Sequence, residues 1–428
     1  MPRLKFLLAA LAVPLLAHGP AAAQPQVGKP SEGLQSNRYM EYKSPKARLV
    51  ETQYFIYPAG GQVVSAIERA GEVRRGLEMI VPYVLQSGNA WATSDQAGYP
   101  KTRITINHRD GEAAFDAQTG RVPGTQAPYM VFTAPQPLFI ERLQVVQTNA
   151  LVVAETVFNE KAAWDVAWPD RWPADASVWL DRDPVVDVVE ENGADEVQAL
   201  LDSWTGGNDP RGIPPVQLAK FLTAKVIEHI RHTEPPVHNP RATPASIISG
   251  GTVVAGETRV RGRITNHHGM IGGFNIQNAG TIARSGRGSP HDDTVLLTAV
   301  LRRAGIPART VIGVDDNESH NHKRFKSWVE FALVAPDVDR VVWVPIDTVE
   351  LRGSGRNTRS WQQPWKHFGT SDLLRETPPV AFNFHPPVNY DSYAAPALYG
   401  VRSDTDLGDF GIQGVIANVS SQPNRGGN

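Results

Sequence analysis

Residues 286–314, GRGSPHDDTVLLTAVLRRAGIPARTVIGV, constrain the fold more than any other stretch of the chain. Ser289 carries the side chain of a helix N-cap, Pro290 suits the first helical position, and Asp292 stands where a capping box needs an acceptor. Leu296, Leu297, Val300 and Leu301 recur on one helical face, so the spacing predicts a buried helix. The helix should end at Ala304 and Gly305, because Pro307 cannot continue it. Thr310, Val311, Ile312 and Val314 then read as a strand. A helix handing over to a strand specifies a scaffold here and leaves its chemistry open.

The 428 residues, 41% hydrophobic and 20% charged, can bury more than one core, which makes a multidomain chain the expectation. A formal charge of -2 gives no overall electrostatic reason to expect a nucleic-acid partner, and no phosphate loop, dinucleotide fingerprint or nucleic-acid module stands out. The chain contains no cysteine. Disulfides, cysteine-ligated zinc, thioether-linked haem, thiol catalysis and a cysteine lipid anchor are therefore excluded.

The first residues have the order of a secretory signal. Arg3 and Lys5 precede the apolar run 6–16, and Ala21, Ala22 and Ala23 follow, so residues 1–23 are expected to be removed after Ala23. Losing Arg3 and Lys5, with no acidic residue, takes the formal charge from -2 to -4. A short buried helix is the other reading of this segment. No later uninterrupted apolar run is long enough to span a membrane, so the expectation is a periplasmic or secreted protein without stable membrane insertion.

Residues 24–44 are polar and read as a flexible lead-in. Residues 45–165 read as a β-rich domain, with strand-like runs at 54–57, 63–64, 102–107, 130–132, 138–147 and 151–158, and a turn at Asp110 and Gly111. A connector follows in which Trp164, Trp168, Trp172 and Trp179 interleave with Pro169 and Pro173. Such tryptophans either line a sugar-binding groove or lock a connector between two domains. Residues 194–204 and 216–230 are amphipathic helices by spacing, and the glycine-rich stretch 250–280 reads as an excursion or hairpin. Residues 391–428 read as a C-terminal extension that frays from about Ser420.

Residues 168–184 and 216–230, RRAGIPAR at 302–309, 328–331, 343–347 and FNFHPP at 382–387 together resemble bacterial transglutaminase-like proteins. The resemblance covers about 164–388, giving a transglutaminase-like domain at 166–390, and implies an α+β fold, a papain-related transglutaminase-like core preceded by a β-rich domain. Active members use a Cys-His-Asp arrangement for acyl transfer or amide hydrolysis. Counting back from GIPAR places the family's cysteine position at Pro290; its histidine position, before Trp328, is Lys326, and Asp347 keeps the third place. Proline has no nucleophile, and lysine serves as a general base only where its pKa is strongly lowered, so the ordinary mechanism is absent.

Ser289 is either a replacement nucleophile, activated by Lys326 or His291, or a helix cap. His291, Asp292 and Lys326, with Asp347, complete the candidate catalytic set. His267, His268, His320, His322 and His385 could meet at one cleft with these groups, as could Arg309 and Trp328. Such imidazoles and carboxylates could supply acid and base or bind a divalent metal, but no spacing is that of a known metal motif and no metal ligand or other cofactor is assigned. Arg309 alternatively clamps a buried carboxylate, Asp347 or Glu330. Two functions are open: recognition of a peptide, peptidoglycan or polysaccharide in the inherited cleft, or a non-cysteine hydrolase or lyase with a relocated polar site. The sequence gives no oligomeric state.

Overall fold

The computed structural model describes residues 33–58, 62–64, 77–92, 100–121, 127–136, 138–183, 186–188, 194–232, 270–271, 276–316, 324–354, 363–384, 398–402 and 410–421. Strands β1 (Met40–Pro58) and β2 (Leu143–Phe158) pair antiparallel from Met40↔Phe158 to Ile56↔Leu143. Their register shifts between Lys43 and Lys46, and Ser44 there has φ 49°, the signature of a bulge that bends a long strand. Val50, Tyr54, Leu143, Val145 and Leu151 contribute to the main core.

Three readings of this region are corrected. The lead-in 24–44 does not end at Ser44, because β1 begins at Met40, whose side chain is fully buried. Strand Phe410–Ser421 pairs along the other edge of β1, so the packed part of the extension completes the first sheet and runs to Ser421, past the Ser420 at which fraying was expected to begin. An unpaired edge of β1 would leave a row of backbone donors and acceptors open, and this strand covers it. The hairpin reversal lies at Asn107 and His108, both with positive φ, before Asp110 and Gly111. Asn107 suits it because its carboxamide oxygen also accepts from the Glu141 and Arg142 amides at 2.8 and 2.9 Å.

The second half is built from helices α1 (Pro215–His229), α2 (Ala279–Ser285), α3 (Pro290–Arg303) and α4 (Thr348–Ser354). They accompany strands β3 (Ala308–Asp315), β4 (Arg324–Leu333), β5 (Val342–Ile346) and β6 (Pro379–Phe382), in the sheet order β5-β4-β3-β6. All pairs are antiparallel. The fold is α+β, as expected. Helix α3 begins with the anticipated capping box and ends at Ala304, followed by Gly305 at φ 83°, a left-handed conformation that glycine adopts without strain.

Strand β3 shows no polar alternation because both of its faces are covered. On one side Ile312, Val314, Val329 and Phe331 join Leu297 and Val300 of α3. On the other, Val311, Trp328, Trp343 and Phe382 form a second cluster with Trp172 and Trp179. The tryptophan segment thus closes the back of the sheet. Trp168 and Trp172 donate their indole N–H groups to the carbonyls of Ile213 and Gly305, at 2.8 and 3.0 Å, which favours the connector reading over a sugar groove.

Lys220 ties the two halves together. Its fully buried ammonium pairs with Glu160, just after β2, donates to the Gln363 carbonyl at 2.8 Å and lies 4.5 Å from the Trp365 ring centroid. Removing one partner of a buried pair strands the other charge. Glu160→Ala should therefore lower unfolding stability by about 3–5 kcal/mol in urea melts, whereas Glu160→Leu combined with Lys220→Met should cost much less.

Candidate functional site

The first turn of α3 holds the densest group of candidates, and most of them serve the helix itself. The Ser289 hydroxyl accepts from the Asp292 amide at 3.3 Å, while the Asp292 carboxylate accepts from the Ser289 amide at 2.7 Å. The other Asp292 oxygen accepts from the Gln277 amide at 2.7 Å. Both residues are buried. Burial raises the Asp292 pKa, and its hydrogen bonds oppose that rise. These contacts favour the capping reading of Ser289 over the nucleophile.

His291 stands apart from the cap. Its Nδ1 lies 2.8 Å from Ser327 Oγ on β4, and its ring meets Phe384 edge-on at 5.7 Å. The Thr294 hydroxyl donates to the His291 carbonyl at 2.7 Å and also reaches Ser327 Oγ at 3.3 Å. Desolvation pushes the imidazole down to about 4, so it is neutral near pH 7. Its electronic state suits a base, but Ser327 is only 2% exposed.

Successive residues of a strand alternate between faces, so Ser327, turned to α3, leaves Lys326 with Trp328 on the other side. There the Lys326 ammonium lies 2.7 Å from Asp347 and 3.1 Å from Glu350. Burial alone would lower its pKa, but the carboxylates of Asp347 and Glu350 outweigh it and hold the amine above its ordinary value. Lys326 is thus a fixed cation. Its expected service as a base activating Ser289 is corrected on this ground, since a protonated amine cannot accept a proton. Asp347 is raised by burial, with Lys326 opposing.

Two further expectations are corrected by burial. Arg309 is 6% exposed and pairs with Glu330, with Nε to Oε2 at 2.9 Å. Its guanidinium is covered by Trp343 at 3.8 Å and Phe382 at 4.3 Å. This is the clamp reading, with Glu330 rather than Asp347 as partner, and it withdraws Arg309 from a ligand. Trp328 is completely buried and donates to Glu330 Oε1 at 3.2 Å, so it is a core residue and no cleft contact. Glu330 also accepts from the Gly88 amide at 2.7 Å. A Cβ on Gly88 would meet the Trp343 carbonyl at 2.6 Å, which explains the glycine.

His267, His268, His320, His322 and His385 lie outside the described residues. Among the described residues no group of three His, Asp or Glu side chains could hold a metal ion.

Two histidines absent from the sequence reading enter the structure here. His232 Nε2 lies 2.9 Å from Asp293 Oδ2, and Arg352 of α4 grips the same fully buried carboxylate through Nη2 at 2.9 Å and Nε at 3.2 Å. His367, 5% exposed with φ 72°, accepts the Asp347 amide on its carbonyl at 3.0 Å. No local spacing announces either contact.

Residues 253–348 match the family profile described as the transglutaminase-like superfamily, a span that contains α3, β3, β4 and β5. The transglutaminase-like resemblance holds over that segment, in a chain without the cysteine. No curated protein matches the chain. Among solved structures, a candidate cysteine protease from Cytophaga hutchinsonii is similar at 11% identity and a TM-score of 0.45, covering 90% of this chain and 93% of its own. A candidate protease from Parabacteroides distasonis is similar at 9% identity and a TM-score of 0.21, covering 68% of this chain and 57% of its own.

The Lys326 pair and the His291 imidazole give separate expectations. Lys326→Ala leaves Asp347 buried without its cation and should cost about 3 kcal/mol at pH 7 in urea melts, less as the pH falls and the carboxyl takes up a proton. For His291, the unfolded chain gains its proton near pH 6.5 and the folded chain only near 4, so this stability is full above 6.5 and lost as the pH falls through that window. His291→Asn should flatten that part of the stability-pH curve.

Proposed function

We propose that this chain is an exported transglutaminase-like protein that recognises a peptide or cell-wall glycan in the inherited cleft and does not transfer acyl groups. The observation that carries the reading is the fate of Lys326, a cation locked between Asp347 and Glu350 at the place where the resemblance expects a histidine. Pro290 at the nucleophile position is consistent with it, since a proline ring can neither attack a carbonyl nor shuttle a proton. What remains is a rigid helix start facing one side of β4 and a charge-paired lysine on the other. Such a surface can orient a ligand through hydrogen bonds without a covalent step.

A second reading, a non-cysteine hydrolase or lyase acting on an amide or polysaccharide, is favoured by one contact. His291 is a neutral imidazole 2.8 Å from a serine hydroxyl, the elementary pairing of a base with a nucleophile. Ser327 would have to become accessible before a substrate carbonyl could reach it.

The mature protein incubated with peptidoglycan fragments, oligopeptides and oligosaccharides should retain one class in pull-down with every ligand mass unchanged. Hydrolysed, eliminated or cross-linked product would overturn recognition without turnover. Loss of that product in Ser327→Ala and His291→Asn, with folding intact, would establish the second reading.

A further inference from the structure

Past its capped start, α3 forms one wall of a cavity. Val295, Thr298, Ala299 and Arg302 follow the i, i+3, i+4, i+7 spacing of one helical face, and all four line it. Asp183, Val186 and Asp187 line it from the tryptophan connector, in a turn closed by the Asp187 amide on the Asp183 carbonyl at 2.9 Å. Thr310 of β3 and the pair Asn383 and Phe384, just past β6, complete the lining. Asn383 has φ 58°, a left-handed conformation that asparagine tolerates, and its amide donates to the Thr310 carbonyl at 2.8 Å. Phe384 also meets the His291 ring, so the cavity adjoins the helix start. Counted out to its open mouth the space is about 260 Å³, and its closed end has room for about one water or one methyl group.

The wall is polar and its charges are matched. Its polar side chains are all buried, Asn383 at 4% exposure and Arg302 at 6%. Asp187 is held by Arg303 through both oxygens, at 2.7 and 2.8 Å. Arg302 donates from Nε and Nη1 to the carbonyls of Ala308 and Asp181, both at 2.8 Å. Burial lowers its pKa, and Asp183 leads the carboxylates that oppose the fall. The Thr298 and Thr310 hydroxyls lie 2.9 Å apart. A ligand carboxylate would enter beside Asp183 and Asp187, and a ligand ammonium beside Arg302, so either charge meets a like one. A neutral dipolar group meets neither obstacle.

We infer that this cavity receives the acetamido group of an N-acetylated sugar. Such a group is half polar and half apolar, as the wall is. Its methyl suits Val186, Val295, Ala299 and Phe384, which all belong to the main core. Its carbonyl can accept from the Asn383 carboxamide or from a guanidinium with five N–H groups, and its N–H can donate to the threonine hydroxyls. The closed end selects a pendant group. A peptide's own amides lie in line, with chain continuing on both sides, and a side-chain carboxamide ends in an NH₂ that would lose its hydrogen bonds among valine and alanine. The inference rests on the recognition reading above and narrows its glycan class.

The test is saturation-transfer NMR and calorimetry on the mature full chain with diacetylchitobiose. Cellobiose, with hydroxyls in place of the acetamido groups, and an acetyllysine peptide are the comparison probes. Diacetylchitobiose should bind with its methyl protons more strongly saturated than its ring protons, and cellobiose should bind roughly tenfold or more weakly. Asn383→Gly, which removes the carboxamide and keeps a residue suited to positive φ, should weaken diacetylchitobiose roughly tenfold, the scale of one lost hydrogen bond. Ala299→Leu, which fills the space from α3, should abolish binding. Arg109→Gln, exposed in the first sheet, should leave it unchanged. The methyl readout comes from the unaltered chain and stands whether or not either cavity variant folds. No diacetylchitobiose binding at millimolar concentration, saturation spread evenly over the sugar, or equal affinity for cellobiose would overturn the acetamido site. An acetyllysine peptide bound as tightly, with the same dependence on Asn383 and Ala299, would transfer the cavity from sugar to peptide and sink the sugar assignment. A retained wall fragment indifferent to both substitutions would remove the cavity's role while leaving recognition standing; a cleaved disaccharide would do the reverse.

Discussion

A carboxylate with no access to water has to be met by donors on every side, and Glu330 in the middle of β4 is such a group. It receives Arg309, the indole of Trp328 and the amide of Gly88, which come from a neighbouring strand, from β4 itself and from the β-rich half of the chain. The side chain that neutralises it is in turn enclosed by Trp343 and Phe382. Because an unpaired buried charge is far costlier than a lost apolar contact, this one group dictates how the central sheet, the tryptophan connector and the first half dock. Lys220 and Glu160 repeat the logic at a second crossing point between the halves.

The same constraint governs the region where the resemblance expects chemistry. Asp347 is as deeply buried as a catalytic carboxylate that orients a histidine would be, but its partner is an ammonium, which fixes a charge where an imidazole would relay a proton. Three kinds of polar group at the start of α3 are each committed differently: Ser289 and Asp292 to the backbone, His291 to Ser327, and Asp293 to Arg352 and His232. The scaffold is intact and its polar groups are paired with each other.

Helix α3 was readable because everything that specifies it is local: a cap, a proline at the first position, an apolar stripe and a terminal glycine. Strand β3 followed from its run of Val and Ile for the same reason. The partners of the site were not readable, because His232 meets Asp293 across 61 residues and Arg309 meets Glu330 across 21, and no periodicity encodes such meetings. The choice between Asp347 and Glu330 for Arg309 turned on which carboxylate lies opposite Arg309 in the ladder, and Glu330 is its direct cross-strand partner. Strand Phe410–Ser421 was missed for a different reason. Its glycines and polar residues weaken the local signal, and its conformation is imposed by the open edge of β1.

That strand also sets an order of events. Synthesis proceeds from the N-terminus, so β1 leaves the ribosome long before the segment that flanks it in the finished sheet. The β-rich half therefore cannot mature as an autonomous first unit while the rest is being made. Its edge has to be sheltered until the last described strand arrives, and contacts so distant in sequence make for slow closure.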